Sequence, residues 1–280
     1  MSGAGVRAWL AAALLAAPAT VAAQTHRSVD VGPYALDVVV AGSGSPALIL
    51  EAGLGDSLSD WSPVLADLAR LSTVVAYSRP SAAPSGGPQD YGVAQSVRDL
   101  HALLARLGLG PPYVLVARSY GGIIARLYTS TYPADVAGLV LVDATHEQQV
   151  ERWGTVDPRY PGQFRAFFDS LLRSMPPGAQ AAEMRETVRI QAAGAVEGMK
   201  PLPDIPIAVL TSMKADPNAT YVNGTARGHE LWREMHDEWF RRSTNGMHIE
   251  TTRSGHPIQR DEPRLVVEAV EFVLSRVRGP

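Results

Sequence analysis

The 280-residue sequence predicts an α/β fold: a mostly parallel central sheet flanked by helices, with a helical cap insertion. Three observations lead there. Short apolar runs at 46–53 (PALILEAG), 73–79 (TVVAYSR), 112–118 (PYVLVAR) and 136–143 (VAGLVLVD) have the length and β-branched content of strands buried on both faces. Helix-period segments of about ten to fifteen residues separate them, the spacing of right-handed βαβ units. The alternation stops over about 144–203, where Trp153, Phe164, Phe167, Phe168, Met175, Met184 and Met199 lie on weakly amphipathic helical patterns between prolines. A helical stretch between two strands is expected to cover the sheet's carboxyl edge, where open α/β sheets bind ligands.

Taken in order, the elements begin after a separate leader. Arg7 precedes AWLAAALLAAPATVAA, an apolar core too short to span a bilayer comfortably, followed by small residues at 21–23. Residues 1–23 therefore read as a signal peptide cleaved before Gln24, which predicts a secreted or periplasmic protein whose folded domain is 24–280. Residues 28–40 read as two strands around Gly32-Pro33. DWSPVLADLARL (60–71) has helical period, with Asp60 as the expected N-cap and Pro63 in the first turn. A Pro/Gly/Ser loop fills 80–88, a helix over 96–109 is closed by Gly110, and a helix following residue 118 runs to about Tyr132. Beyond the insertion, 205–213 and 247–253 read as strands, and 229–243 and 264–277 as helices.

Composition narrows the partners. With 46% hydrophobic and 19% charged residues the chain can bury a large core as one domain. The formal charge is −3, or −4 without Arg7, and the pI is near 6.2; no long Lys/Arg run offers a footprint for nucleic acid or an anionic membrane. A small molecule is the expected partner. Cysteine is absent, which excludes disulfides, thiolate metal sites and a cysteine nucleophile.

Ser119 lies where the strand of VLVARSYGGIIARLY (114–128) gives way to a helix, with small residues at both second neighbours, Ala117 and Gly121. Such neighbours permit a sharp strand-to-helix turn that lifts the hydroxyl above the sheet near a helix N-terminus. A serine that merely N-caps the helix is the plainer alternative.

Here the chain resembles the α/β-hydrolase superfamily over nearly all of 28–277, through EAGLGDSLSDW (51–61), YSRPSAAPS (77–85), VARSYGG (116–122), LVLVDATHE (139–147) and SGHPIQRDEP (254–263). The elbow is small-x-Ser-x-Gly: Ala117 replaces the usual first glycine and Arg118 stands where histidine is frequent. Ser119 needs a base, and the base an orienting acid. His256, in a loop after the last strand, lies at the carboxyl edge, and the resemblance puts the catalytic histidine there. His26 precedes the fold, His101 and His236 sit in helices, His248 lies in a strand pattern and His229 near a helix start. The acid is Asp143, at the end of the strand after the elbow helix, or Asp216, in the commoner family location but without the usual Gly-x-x-Asp pattern; Asp143 is preferred. By the same resemblance the oxyanion donors are the backbone N–H groups of Tyr120 and Leu54.

Other patterns are weaker. His146-Glu147-Gln148-Gln149-Val150 lacks the second histidine of a zinc-protease motif, and Gly42-Ser43-Gly44 has neither a phosphate-loop lysine nor a dinucleotide fingerprint, so no metal or cofactor is implied. Asn218 and Asn223 fit the glycosylation pattern, which matters only in a eukaryotic secretory pathway. The aromatic content of 153–199 suits an apolar pocket but reads better as the insertion's own core. The expectation is an exported serine esterase cleaving a small apolar ester, with thioester, lactone or amide hydrolysis, or ligand binding without turnover, as alternatives. Epoxide hydrolases and haloalkane dehalogenases place an aspartate where this chain has Ser119, which disfavours them.

Overall fold

A computed structural model of the chain describes residues 24–82 and 87–279; the expected signal peptide lies outside the described residues. Eight strands form one sheet: β1 (Thr25–Asp30), β2 (Ala35–Ala41), β3 (Ala47–Glu51), β4 (Val74–Ser78), β5 (Tyr113–Arg118), β6 (Val136–Val142), β7 (Ile207–Ser212) and β8 (Gly246–Thr251). Their spatial order is β1-β2-β4-β3-β5-β6-β7-β8. β2 runs antiparallel to β1 and β4, and every other pairing is parallel.

Period-two alternation assigns each central side chain to one of two core layers. Ile49, Val75, Leu115, Leu139 and Val209 face the layer built by α2 (Val93–Leu107) and α3 (Gly121–Thr131). Leu48, Leu50, Val114, Val116, Val140 and Leu210 face the opposite layer, against α1 (Ser62–Leu71) and α9 (Pro263–Arg278). Burial on both faces is why these strands read as unbroken apolar runs.

Between β6 and β7 lie α4 (Gln149–Gly154), α5 (Tyr160–Ser174) and α6 (Ala179–Ala193). Their aromatics do not form a core by themselves. Val150, Trp153 and Tyr160 pack with Leu231, Trp232 and Met235 of α7 (Ala226–Phe240), and Phe167 is 56% exposed. The short α8 (Ile258–Asp261) precedes α9. No helix among the described residues is long and apolar enough to cross a membrane.

Several helix ends differ from expectation: α2 begins at Val93 and α7 spans Ala226–Phe240, each start three residues earlier than expected, and two further differences have a clear cause. α2 ends at Leu107 because Gly108 takes the left-handed conformation (φ 68°), and Leu109 N–H reaches back to Leu104 O, so Gly110 plays no part in the cap. Asp60 is not the N-cap of α1. It is buried in a short 3₁₀ turn (Leu58–Trp61), capped by Ser57, and its carboxylate serves Arg118, Gln259 and Arg260.

Candidate active site

The parallel register sets Arg118 beside Val142 and Val142 beside Leu210, so the residues after β5, β6 and β7 emerge together at the carboxyl edge. Ser119 stands at this edge with φ 52°, a left-handed conformation costing a non-glycine residue about 1–3 kcal/mol. The surrounding backbone holds it: Ser119 N–H donates to Val142 O, and Ser119 O accepts from Gly122 and Thr145 N–H. The two glycines are steric requirements. A Cβ on Gly121 would lie 2.5 Å from Glu51 O, and one on Gly122 would lie 2.4 Å from Ala144 Cβ. Ala117 packs fully buried in the core, where its extra methyl is accommodated.

Asp143, directly after β6, also has positive φ (43°), and its side chain is only 5% exposed. Oδ1 accepts from Ser212 N–H (2.9 Å) and from the Trp232 indole (2.7 Å), and Oδ2 lies 2.7 Å from His256 Nδ1. Burial would raise this carboxyl's pKa, but the hydrogen bond and charge of His256 hold it below the usual range. An ionised carboxylate only accepts, so His256 Nδ1 carries the proton. Nε2, 2.9 Å from Ser119 Oγ, is thereby free to take the serine proton. The histidine loop is held by Ser254 Oγ and Gly255 N–H donating to Asp261, and by Ser212 Oγ donating to Ser254 O.

The other candidates separate cleanly. Asp216 is exposed in its own turn, where its carboxylate accepts Asn218 N–H, and it makes no hydrogen bond to His256. His26 pairs with Asp37, His101 stacks on Tyr132, His146 stacks on Trp239, and His248 meets Asp237. His236 is buried behind the site, its Nε2 donating to Ala144 O. His229 does line the cavity; its Nδ1 donates to Ser212 O, which leaves Nε2 to face a ligand.

Leu54 and Tyr120 line the same cavity as Ser119, and the backbone N–H of neither has an acceptor among the described residues. Tyr120 N–H lies at the N-terminus of α3, where the helix dipole favours negative charge. Arg118, at the position of the frequent histidine, pairs with Asp56 and Asp60, and Asp60 also pairs with Arg260. One guanidinium thus ties the elbow to the loop after β3 and, through Asp60, to α8. The cavity holds about 640 Å³, with Trp153, Tyr160, Phe164, Phe168 and Trp232 as its apolar wall and Lys214, His229 and Gln149 among its polar groups. This arrangement can deprotonate a serine hydroxyl, stabilise the imidazolium and receive an oxyanion on two amides.

A family profile described as alpha/beta hydrolase fold matches residues 46–193, more than half of the chain. The chain belongs to the α/β-hydrolase fold family. Among relatives of this α/β-hydrolase, the uncharacterized protein YqjL of Bacillus subtilis is 25% identical over 234 residues, covering 82% of this chain and 83% of that protein. A thermophilic esterase from Thermogutta terrifontis superposes with a TM-score of 0.59 at 18% identity, covering 92% of this chain and all of that one. Carboxylesterase CesB of Bacillus subtilis gives 0.58 at 13% identity, covering 90% and 92%. At these identities the structures establish the fold alone.

Three site residues of this α/β-hydrolase are not foreseen from sequence. Trp232 reads as one apolar position of a helix, and only the fold brings its indole to Asp143. Arg79 and Glu183, 104 residues apart, meet in a fully buried ion pair beside the loop after β3. Arg79 lies in one of the family-like stretches, but nothing near it in sequence names its partner.

Proposed function

We propose that the protein is an exported serine hydrolase, with a carboxylic ester of a small, rather apolar acyl group as its substrate. One observation carries the reading: Ser119 Oγ, lining an aromatic-walled cavity, lies 2.9 Å from a histidine nitrogen whose opposite nitrogen meets a buried carboxylate. Ser119 attacks the ester carbonyl while His256 takes its proton, and Asp143 stabilises the imidazolium. The Leu54 and Tyr120 N–H groups receive the oxyanion. His256 then protonates the departing alkoxide, and water, deprotonated by His256, releases the acid from Ser119. Thioesters, lactones and amides offer the same carbonyl; the aromatic wall favours an apolar acyl group. Export rests on the apolar segment after Arg7 and the small residues at 21–23.

The test is turnover of 4-nitrophenyl esters from acetate to octanoate by the chain beginning at Gln24. Wild type is expected to prefer short acyl chains, and Ser119→Ala to lower kcat by about 10⁵–10⁶-fold. Full turnover by Ser119→Ala overturns the proposal; tight retention of an ester without cleavage by wild type makes the protein a binder instead. A chain retained in the cell with residues 1–23 still attached removes the export reading, and a secreted chain beginning elsewhere than Gln24 moves the cleavage site.

A further inference from the structure

Arg79, at the end of β4, is 1% exposed at its side chain, and its guanidinium uses all of its donors. Nε donates to Glu183 Oε1 (2.8 Å), and Nη2 to Glu183 Oε2 (3.3 Å) and Gly53 O (2.6 Å). Nη1 donates to Ala52 O (2.8 Å) and Glu51 Oε1. Glu51 also accepts from the Tyr77 hydroxyl, and both carboxylates are as buried as the arginine. Charged side chains are almost never fully buried unless paired, and a buried ion network stabilises no better than packed apolar groups of equal volume. Its worth is better sought in geometry.

Both backbone acceptors belong to the loop that carries the Leu54 amide. The Gly53–Leu54 peptide is trans, so its carbonyl and its N–H point in opposite directions. A carbonyl turned to Arg79 therefore turns the Leu54 N–H away from Arg79, and both Leu54 and Ser119 line the cavity. Glu183 holds a further amide of the loop, accepting Gly55 N–H (3.2 Å). The guanidinium also lies over the ring of Tyr120, whose N–H is the second oxyanion donor (5.8 Å to the ring centroid). Glu183 belongs to α6, the last of the inserted helices.

Resting on the reading of the site as a serine hydrolase, we propose that Arg79 and Glu183 are positioning residues of the oxyanion hole. Through this pair, the seating of α6 on the sheet sets the aim of the Leu54 N–H. Neither residue touches the substrate. Their loss weakens stabilisation of the charged tetrahedral state while leaving ground-state binding in the cavity largely intact, because the wall that holds the acyl group is built from other residues.

The experiment compares wild type with Glu183→Gln, Glu183→Asp and Arg79→Lys on 4-nitrophenyl butyrate, beside inhibition by an alkyl trifluoromethyl ketone and by the matching secondary alcohol. The ketone takes Ser119 and generates an oxyanion; the alcohol fills the cavity and generates none. Glu183→Gln and Arg79→Lys are expected to lower kcat by about 10- to 100-fold, less than outright removal of a donor, with KM within about threefold. The ketone's Ki should rise by the same factor while the alcohol's stays unchanged, and Glu183→Asp should recover part of both. Should Glu183→Gln fail to fold, Glu183→Asp and Arg79→Lys give the same comparison. A folded variant with wild-type kcat and ketone affinity, whatever its thermal midpoint, reduces the clamp to a structural ion pair and overturns the proposal. A wild type that neither hydrolyses the ester nor binds the ketone removes the catalytic reading itself, and the clamp's role with it.

Discussion

Asp143 and Asp216 show what a single residue's surroundings decide. Asp143 accepts the Ser212 amide, the Trp232 indole and the His256 ring, whereas Asp216 accepts only Asn218 N–H in an exposed turn. Asp143→Asn places an amide against His256 and favours the wrong imidazole tautomer; kcat on a short ester is expected to fall about 10³–10⁴-fold. Asp216→Asn should stay within about twofold, and the reverse ranking would move the acid. In the sequence both aspartates follow strand-like runs, so position alone leaves two candidates. What separates them is contributed by Trp232 and His256, 89 and 113 residues further along, which local spacing cannot see. Arg118 is a similar case: it reads as a departure from the family's frequent histidine, and its partners Asp56 and Asp60 become visible only when the loop after β3 folds against the elbow.

At the scale of elements, the strand–turn–helix corner is legible because it depends on adjacent residues. A buried β-run, a serine and two small residues in sequence suffice to predict a tight turn, and Gly121 shows why the size limit is strict. Gly121→Ala would drive a Cβ into the carbonyls of Glu51 and Ala52, both backbone, so the corner can relieve it only by moving β3 or α3. Loss of about 3 kcal/mol or more in a urea melt is expected; a loss below about 1 kcal/mol would mean that the corner has slack. Strand identity is equally legible, since continuous apolar runs are what burial on two faces demands. Helix ends are not. Gly108 and Gly110 are both plausible stops for α2, and the choice falls on the one that closes the Schellman hydrogen bond to Leu104. Asp60 reads as a cap because acidic residues favour helix starts, and it is taken instead by three donors from β5 and α8.

Over the whole molecule, buried neutral histidines set the acid limit. Burial pushes His236 down to about 3 and His146 down to about 4, from an ordinary 6.5. Below pH 6.5 the unfolded chain binds protons that the folded chain refuses, so stability is full above that value and falls through the window down to about 4 for His146 and about 3 for His236. Each contributes a slope of up to ~1.4 kcal/mol per pH unit. Asp143 acts in the same direction lower down: its depressed folded pKa stabilises above 3.8 and the contribution is lost as pH falls below it. Urea midpoints are expected to fall steadily from pH 7 to pH 5, and a flat profile would mean that one or both histidines are charged in the folded protein. His236 packs against Trp232 and bonds to Ala144, so the neutral ring that sets this limit is also part of the shell behind Asp143.

The central claim is that Ser119 is an activated nucleophile, and intact-protein mass spectrometry with a fluorophosphonate tests it most directly. Wild type should gain the mass of one adduct, Ser119→Ala none, and His256→Ala the same adduct far more slowly. No adduct on a folded wild type, or an undiminished adduct on Ser119→Ala, would contradict the account.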